Sequence, residues 1–400
     1  MAASTQSQEL VVKKFQPTST LKMISIVMVV IGVLTFALGL VKDPDRVWPA
    51  YLTAFYFVSC LGIGGLFFAV INNMAKAGWS VSIRRLSESM TSFLPVMLIG
   101  SLVLMVGLKR LYPWANPEEV AASSAMQVKT SYLNMNFLIV RLLIFGLGMI
   151  WFASKIVGNS LKQDQSGDEN LTVQNVKYSV IWTLFFAIFF SLFSVDLLMS
   201  LLPTWYSTIF GIYCFAGLFQ STMAMLLIIM IYMRRAGYIS GYYTEDHMHD
   251  VAKYMKAFTI FWAYIAFSQF MLIWYANIPE ETEFFLMRAQ NGWAGISTAL
   301  VVFKFIVPFL ALLPRAWKRN ENHVIAVSCL VLVMQYLDIH WLVFPNFNEN
   351  NFVLGIYEIG MLVGFLGLFL MMLIRFWSKH SLVAIRDPRM DEALHHHVTY

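Results

Sequence analysis

Ten stretches of about 20 consecutive apolar residues constrain this chain more than any other feature. A helix rises about 1.5 Å per residue, so each stretch can cross the roughly 30 Å hydrocarbon core of a bilayer. They fall at 21–41, 50–74, 89–108, 131–157, 178–202, 208–233, 254–277, 293–313, 323–343 and 354–376. Transmembrane strands need alternating segments of about ten residues, and these blocks are continuous, so the sequence predicts an all-α polytopic membrane protein. Composition agrees. Of 400 residues, 58% are hydrophobic and 13% charged, with a mean hydropathy of +0.65, which is too apolar for a water-soluble globule of this size. No small-residue cleavage signature precedes Lys42, so the first stretch reads as a retained span rather than a removed signal peptide.

Cation placement sets the expected orientation. Counting from Lys13 to Arg389, twenty of the 28 Lys and Arg residues lie on the side of the termini, Arg84 and Arg85 among them. Six (Lys42, Arg46, Lys109, Arg110, Lys129 and Arg288) lie on the other side, and Arg141 and Lys304 lie inside spans. Loops rich in Lys and Arg stay on the cytoplasmic face, so both termini are expected there. The opposite loops hold Asp43, Asp45, Glu118, Glu119, Glu280, Glu281, Glu283 and Glu349, a slightly acidic face whose simplest reading is ordinary solvated loops. With the positive charge assigned to topology, nucleic acid is not an expected partner, and lipid is.

Cys60, Cys214 and Cys329 each stand alone in an apolar block, which does not support a disulfide framework, a Cys-ligated zinc site, an iron–sulfur cluster or covalent haem. His340 is the one histidine well inside a span, so the paired axial ligands of a b-type cytochrome are missing. The chain is therefore expected to bind no cofactor metal itself. His247 and His249 read as part of a polar loop entering span 7, and His395 to His397 as a solvated tail.

Spans 2–5 and 6–9 read as two copies of a four-helix unit. Lys76-Ala77-Gly78-Trp79 closes span 2 and Arg235-Ala236-Gly237-Tyr238 closes span 6. The third helix of each unit then carries a buried cation, Arg141 or Lys304, and the fourth a buried carboxylate, Asp196 or Asp338. The expected organisation is a tail over 1–20, a first span and outer loop over 21–49, bundles over 50–207 and 208–353, a tenth span over 354–376, and a cytoplasmic tail over 377–400. Copies four spans apart run in the same direction, a parallel repeat.

Ionisable residues inside a membrane cost about 2.5–3.5 kcal/mol each even on the lenient insertion scale, so they should face the bundle interior and pair or reach water. Arg141, Asp196, Lys304, Asp338, His340 and Glu358 all fall in the outer half and are the proton-path candidates. The alternative is that Arg141 with Asp196, and Lys304 with Asp338, are structural ion pairs fixing helix register. On span 7, Trp262, Tyr264, Gln269 and Trp274 combine rings with a buried amide, a set suited to a quinone headgroup.

Along this run the sequence resembles the NrfD/PsrC-like integral membrane subunits, and within them the F subunit of bacterial alternative complex III. The residues that carry the resemblance are His249-Asp250 with Lys253, Phe261-Trp262-Ala263-Tyr264, Ser268-Gln269-Phe270 and Ile273 through Glu281, together with Ala75 through Trp79. It implies a subunit of a quinol:electron-acceptor oxidoreductase complex, without its own redox metal. Its partners would be a paralogous NrfD-like subunit, an iron–sulfur subunit and c-type haem subunits. Quinone-site members carry a carboxylate where this chain has Gln269, so the resemblance assigns quinol oxidation to the paralogous subunit and a proton path or anchoring to this one. Two other readings stay open: a quinone-binding subunit of another NrfD-type reductase, and a secondary transporter with parallel repeats.

Overall fold

The computed structural model describes residues 11–348 and 350–398, apart from the side chain of Val11. Residues 1–10 of the N-terminal tail, Glu349, and the last two residues of the C-terminal tail lie outside the described residues. Among the described residues ten helices are long and apolar enough to cross a membrane. They are Ser19–Lys42, Pro44–Met74, Gly78–Leu111, Met135–Ser166, Asn170–Leu201, Phe210–Arg235, Glu245–Ala276, Asn291–Ala311, Glu321–Asn346 and Ile356–Lys379, numbered here as spans 1 to 10. The protein is an all-α polytopic membrane protein, and the one strand pairing among the described residues is a two-residue antiparallel bridge between Val11–Val12 and Ile239–Ser240.

Span 2 packs on span 3, 3 on 4, 4 on 5, and 5 closes back on 2; spans 6, 7, 8 and 9 close in the same way. The two rings meet where span 2 touches spans 6 and 9 and where span 5 touches span 6. Span 2 is therefore the central element, and every residue from Val47 to Leu66 on it is buried. Such a helix needs no amphipathic stripe, because protein surrounds it on all sides.

Span 1 attaches differently. Its buried residues are Ser25, Gly32, Thr35 and Gly39, one small-residue stripe that lies against span 10. A Cβ added at Gly32 would collide with the Gly364 backbone, and one at Gly360 with Thr35. Lipid tails are as apolar as any side chain, so close backbone approach rather than hydrophobic burial holds such a pair together.

Two sequence expectations are revised. Span 3 begins at Gly78 rather than 89, so Arg84 and Arg85 are not loop cations but fully buried residues of its first turns. The tail over 377–400 is not simply solvated. Leu382, Val383 and Ala384 are buried, His396 pairs with Asp250 at 2.6 Å, and His397 pairs with Asp246 at 2.9 Å, whereas His395 stays exposed. The physical reason is that span 7 presents Asp246 and Asp250 on successive turns, giving the tail two carboxylates to dock on.

Candidate functional site

The first bundle sets its ion pair by helix register. Arg141, near the start of span 4, meets Asp196, near the end of span 5, with Nε and Nη2 donating to the two carboxylate oxygens at 2.7 and 3.0 Å. This forked geometry satisfies both oxygens at once. The Tyr132 hydroxyl donates to Asp196 Oδ1 at 3.0 Å, and the guanidinium lies 4.0 and 4.4 Å from the ring centres of Tyr132 and Phe137.

The second bundle repeats this theme with different chemistry. Lys304 Nζ pairs with Asp338 and donates to Gln335 Oε1 at 2.7 Å, and the Tyr213 hydroxyl donates to the other oxygen of Asp338. The ammonium lies 4.3 Å from the ring centre of Trp262. Lys304, Gln335 and Asp338 are all buried. The backbone is special here: Leu300–Ile306 forms a π-helical turn in span 8. Pro308 has no N–H to give the Lys304 carbonyl four residues earlier, and Gln220 Nε2 approaches that carbonyl at 3.4 Å instead. Single π turns of this kind concentrate at functional sites, where they re-aim one side chain.

Glu358 does not join either pair. It takes Arg46, read from the sequence as an outer-loop cation, in a forked bridge at 2.7 and 2.8 Å, and it accepts the Gly355 N–H at 2.6 Å. His340 lies two residues from Asp338 but projects elsewhere, into a ring cage of Phe344, Trp293 and Phe352 with centroid distances of 3.9, 5.8 and 5.3 Å. The six proton-path candidates thus fall into three polar clusters, one of them Glu358 with Arg46, and the ring-caged His340 apart from all three, rather than one continuous chain.

The quinone-headgroup candidates also separate. Trp262 and Gln269 face the bundle interior, while Tyr264 and Trp274 are 64% and 67% exposed on the outer surface of span 7. Positions two and five residues apart on a helix cannot share a face.

A fourth polar cluster escaped the sequence reading. At the end of the first bundle opposite Asp196, Arg84 bridges Glu88 at 3.1 Å and Asp387 of the tail at 2.8 Å. Arg85 bridges Glu88 at 3.0 Å and Asp164 at 2.8 Å, and Ser160 donates to Glu88 at 3.0 Å. The available signal was Glu88 directly beside a predicted span, three and four residues from two arginines. Tyr132, Tyr213, Gln335 and Arg46 were also missed, though Gln335 sits one turn before Asp338 on the same face.

Among the described residues no group of three or more His, Cys, Asp or Glu side chains is placed to hold a metal ion. No protein-family model matches this sequence, and no curated protein matches it.

Proposed function

We propose that this chain is the membrane subunit of a quinol:electron-acceptor oxidoreductase complex in a bacterial inner membrane, with cytoplasmic termini, contributing a proton-exchanging group and an anchor for redox subunits. The observation that carries the reading is the duplicated cation–carboxylate–tyrosine station, one per bundle, each joining the third and fourth helices of its bundle. The resemblance of the span-7 run to NrfD-type subunits supplies the redox context. Quinol, iron–sulfur clusters and c-type haem would belong to partner chains.

The two stations divide the work. Arginine does not release its proton in proteins, so the forked Arg141–Asp196 pair acts as a structural clamp. Lysine does exchange. The Lys304–Asp338 pair can be ammonium–carboxylate or amine–carboxylic acid with no change in net charge, so a proton can pass between them without placing a new charge in the membrane. Tyr213 and Gln335 hydrogen-bond the site in either state. Burial without the partner would be costly, which is why both members sit on packed helices.

A second reading, a secondary transporter with parallel repeats, gains from one observation: the π turn at Lys304 interrupts span 8 beside a buried charge. Affinity purification in mild detergent, with partner identification and a visible spectrum, separates the two. Co-purifying chains with c-type haem absorbance support the redox complex. An isolated chain that moves a solute down an imposed proton gradient supports the transporter.

A further inference from the structure

Between spans 7 and 8, at the end of the membrane opposite the termini, the chain forms a short helix over Pro279–Ala289. Its inner face is fixed to the protein. Phe284 stacks on Trp205 with ring centres 4.1 Å apart, and Trp205 Nε1 donates to the Glu281 carbonyl at 3.1 Å. Arg288 is buried and donates to the carbonyls of Trp341 and Leu342 at 3.0 and 2.9 Å. The loop before span 6 and the end of span 9 therefore hold this helix in place, and a surface fixed beforehand loses little entropy when it binds.

The other face of the helix borders a groove of about 530 Å³. Glu280, Glu283, Met287 and Gln290 recur at three- and four-residue intervals along one wall, and Asn350, from the segment before span 10, stands on the other. Glu280 and Glu283 are exposed, and among the described residues neither carboxylate takes part in a salt bridge. The two segments that form the groove, 277–303 and 344–355, contain one cation, Arg288, and it is turned inward onto carbonyls. The negative charge is therefore uncompensated. Leu286 in the groove and Ile278 beside it are 54% and 43% exposed, which adds apolar contact area next to the carboxylates.

Three occupants are excluded by place and charge. Val12 pairs with Ile239 and the Val398 carbonyl accepts from Arg315, both at the opposite end of the membrane, so neither terminal segment is placed to reach the groove. A second copy of the chain would bring the same carboxylates and be repelled, and anionic lipid headgroups would be repelled likewise. We propose that the groove docks a basic segment of a separate polypeptide on that side of the membrane, with Lys or Arg side chains at Glu280 and Glu283 and an apolar side chain against Leu286 and Met287. Opposite charges fix register and partner choice, and the apolar floor supplies desolvated contact. The proposal rests on the anchoring part of the proposed function and names the chemistry by which the partner is held.

The test uses the full chain purified with its partners in mild detergent, carrying a photoreactive amino acid at position 287. Irradiation should capture a peptide of a co-purifying subunit with an excess of Lys and Arg, identified by mass spectrometry. Glu280→Gln combined with Glu283→Gln keeps both side-chain volumes and removes both charges. At these exposed positions the melting temperature should stay unchanged, while retention of that subunit should fall at least about fivefold, equivalent to about 1 kcal/mol, and become less sensitive to salt. Capture of an acidic peptide, of a second copy of this chain or of lipid alone overturns the docking proposal and leaves the proposed function standing. Unchanged retention in the double variant does the same, as does the absence of any capture from a preparation that keeps its partners. A chain that purifies with no partner overturns the proposed function, and this proposal with it.

Discussion

Replacing Asp387 by Asn removes one charge from the tail and leaves Arg84 facing it in a buried setting. Asp387 is 4% exposed and accepts from Arg84 at 2.8 Å and from Arg389 at 3.2 Å. Burial alone would raise its carboxyl, but Arg84 and Arg389 outweigh burial and hold it at about 2 against an ordinary 3.8. That difference corresponds to about 2 kcal/mol of docking free energy at neutral pH. Removing one partner of a buried pair commonly costs about 3–5 kcal/mol. Arg84 keeps Glu88 at 3.1 Å, so the smaller figure applies. A loss of about 2 kcal/mol raises the open population of the tail about 30-fold. Hydrogen exchange at the buried Leu382, Val383 and Ala384 reads it directly. Because the folded carboxyl is depressed, its contribution is complete above about pH 4 and is lost as pH falls toward 2. The unaltered tail should therefore lose protection across that window, and the Asn variant should lack that component. Exchange at 382–384 that changes less than about threefold would refute the assignment of Asp387 as the tail's anchor.

Other consequences follow from the packing and from the charges. Gly364→Val should separate span 1 from span 10, since a side chain there meets the Gly32 backbone, and cysteine cross-linking between these spans should fall while spans 2 to 9 keep their melting temperature. Arg288 is fully buried between the Phe284 and Trp341 rings and donates to the carbonyls of Phe284, Trp341 and Leu342. Arg288→Met should keep much of the stacking but strand those carbonyls, costing about 2–4 kcal/mol, read as a lowered midpoint in detergent melts. A reporter fused at the C-terminus should behave as cytoplasmic, and clear activity on the outer face would reverse the orientation drawn from the cation count.

The spans were legible because long apolar runs leave a chain no other way to satisfy its backbone in lipid. The start of span 3 was not. Val81–Met90 carries Arg84, Arg85 and Glu88, and reads as a polar loop until Asp164 and Asp387 arrive from distant segments to bury it. The docked tail was hidden for the same reason, because Asp387 lies 303 residues from Arg84. Arg141, Asp196, Lys304 and Asp338 stood out because ions are rare in spans. Their partners Tyr132 and Tyr213 did not, because tyrosine is common at interfaces and carries no pairing signal of its own. The span-7 aromatic run looked like one site, yet its helical phase sends Trp262 and Gln269 inward and Tyr264 and Trp274 outward.

The central claim is that Asp338 exchanges a proton with Lys304 during turnover, while the Arg141–Asp196 pair is a clamp. Asp338→Asn keeps the volume and one acceptor oxygen, turns the other position into an amide donor that the Tyr213 hydroxyl oxygen can accept, and removes titration. The most direct measurement is quinol turnover and proton release by the assembled Asp338→Asn complex across the pH range, with subunit content checked in the same preparation. The account predicts normal assembly with proton release and turnover reduced at least about tenfold, equivalent to about 1.4 kcal/mol in the barrier. Full turnover and full proton release from a normally assembled complex would contradict it and leave Lys304–Asp338 as a second structural clamp.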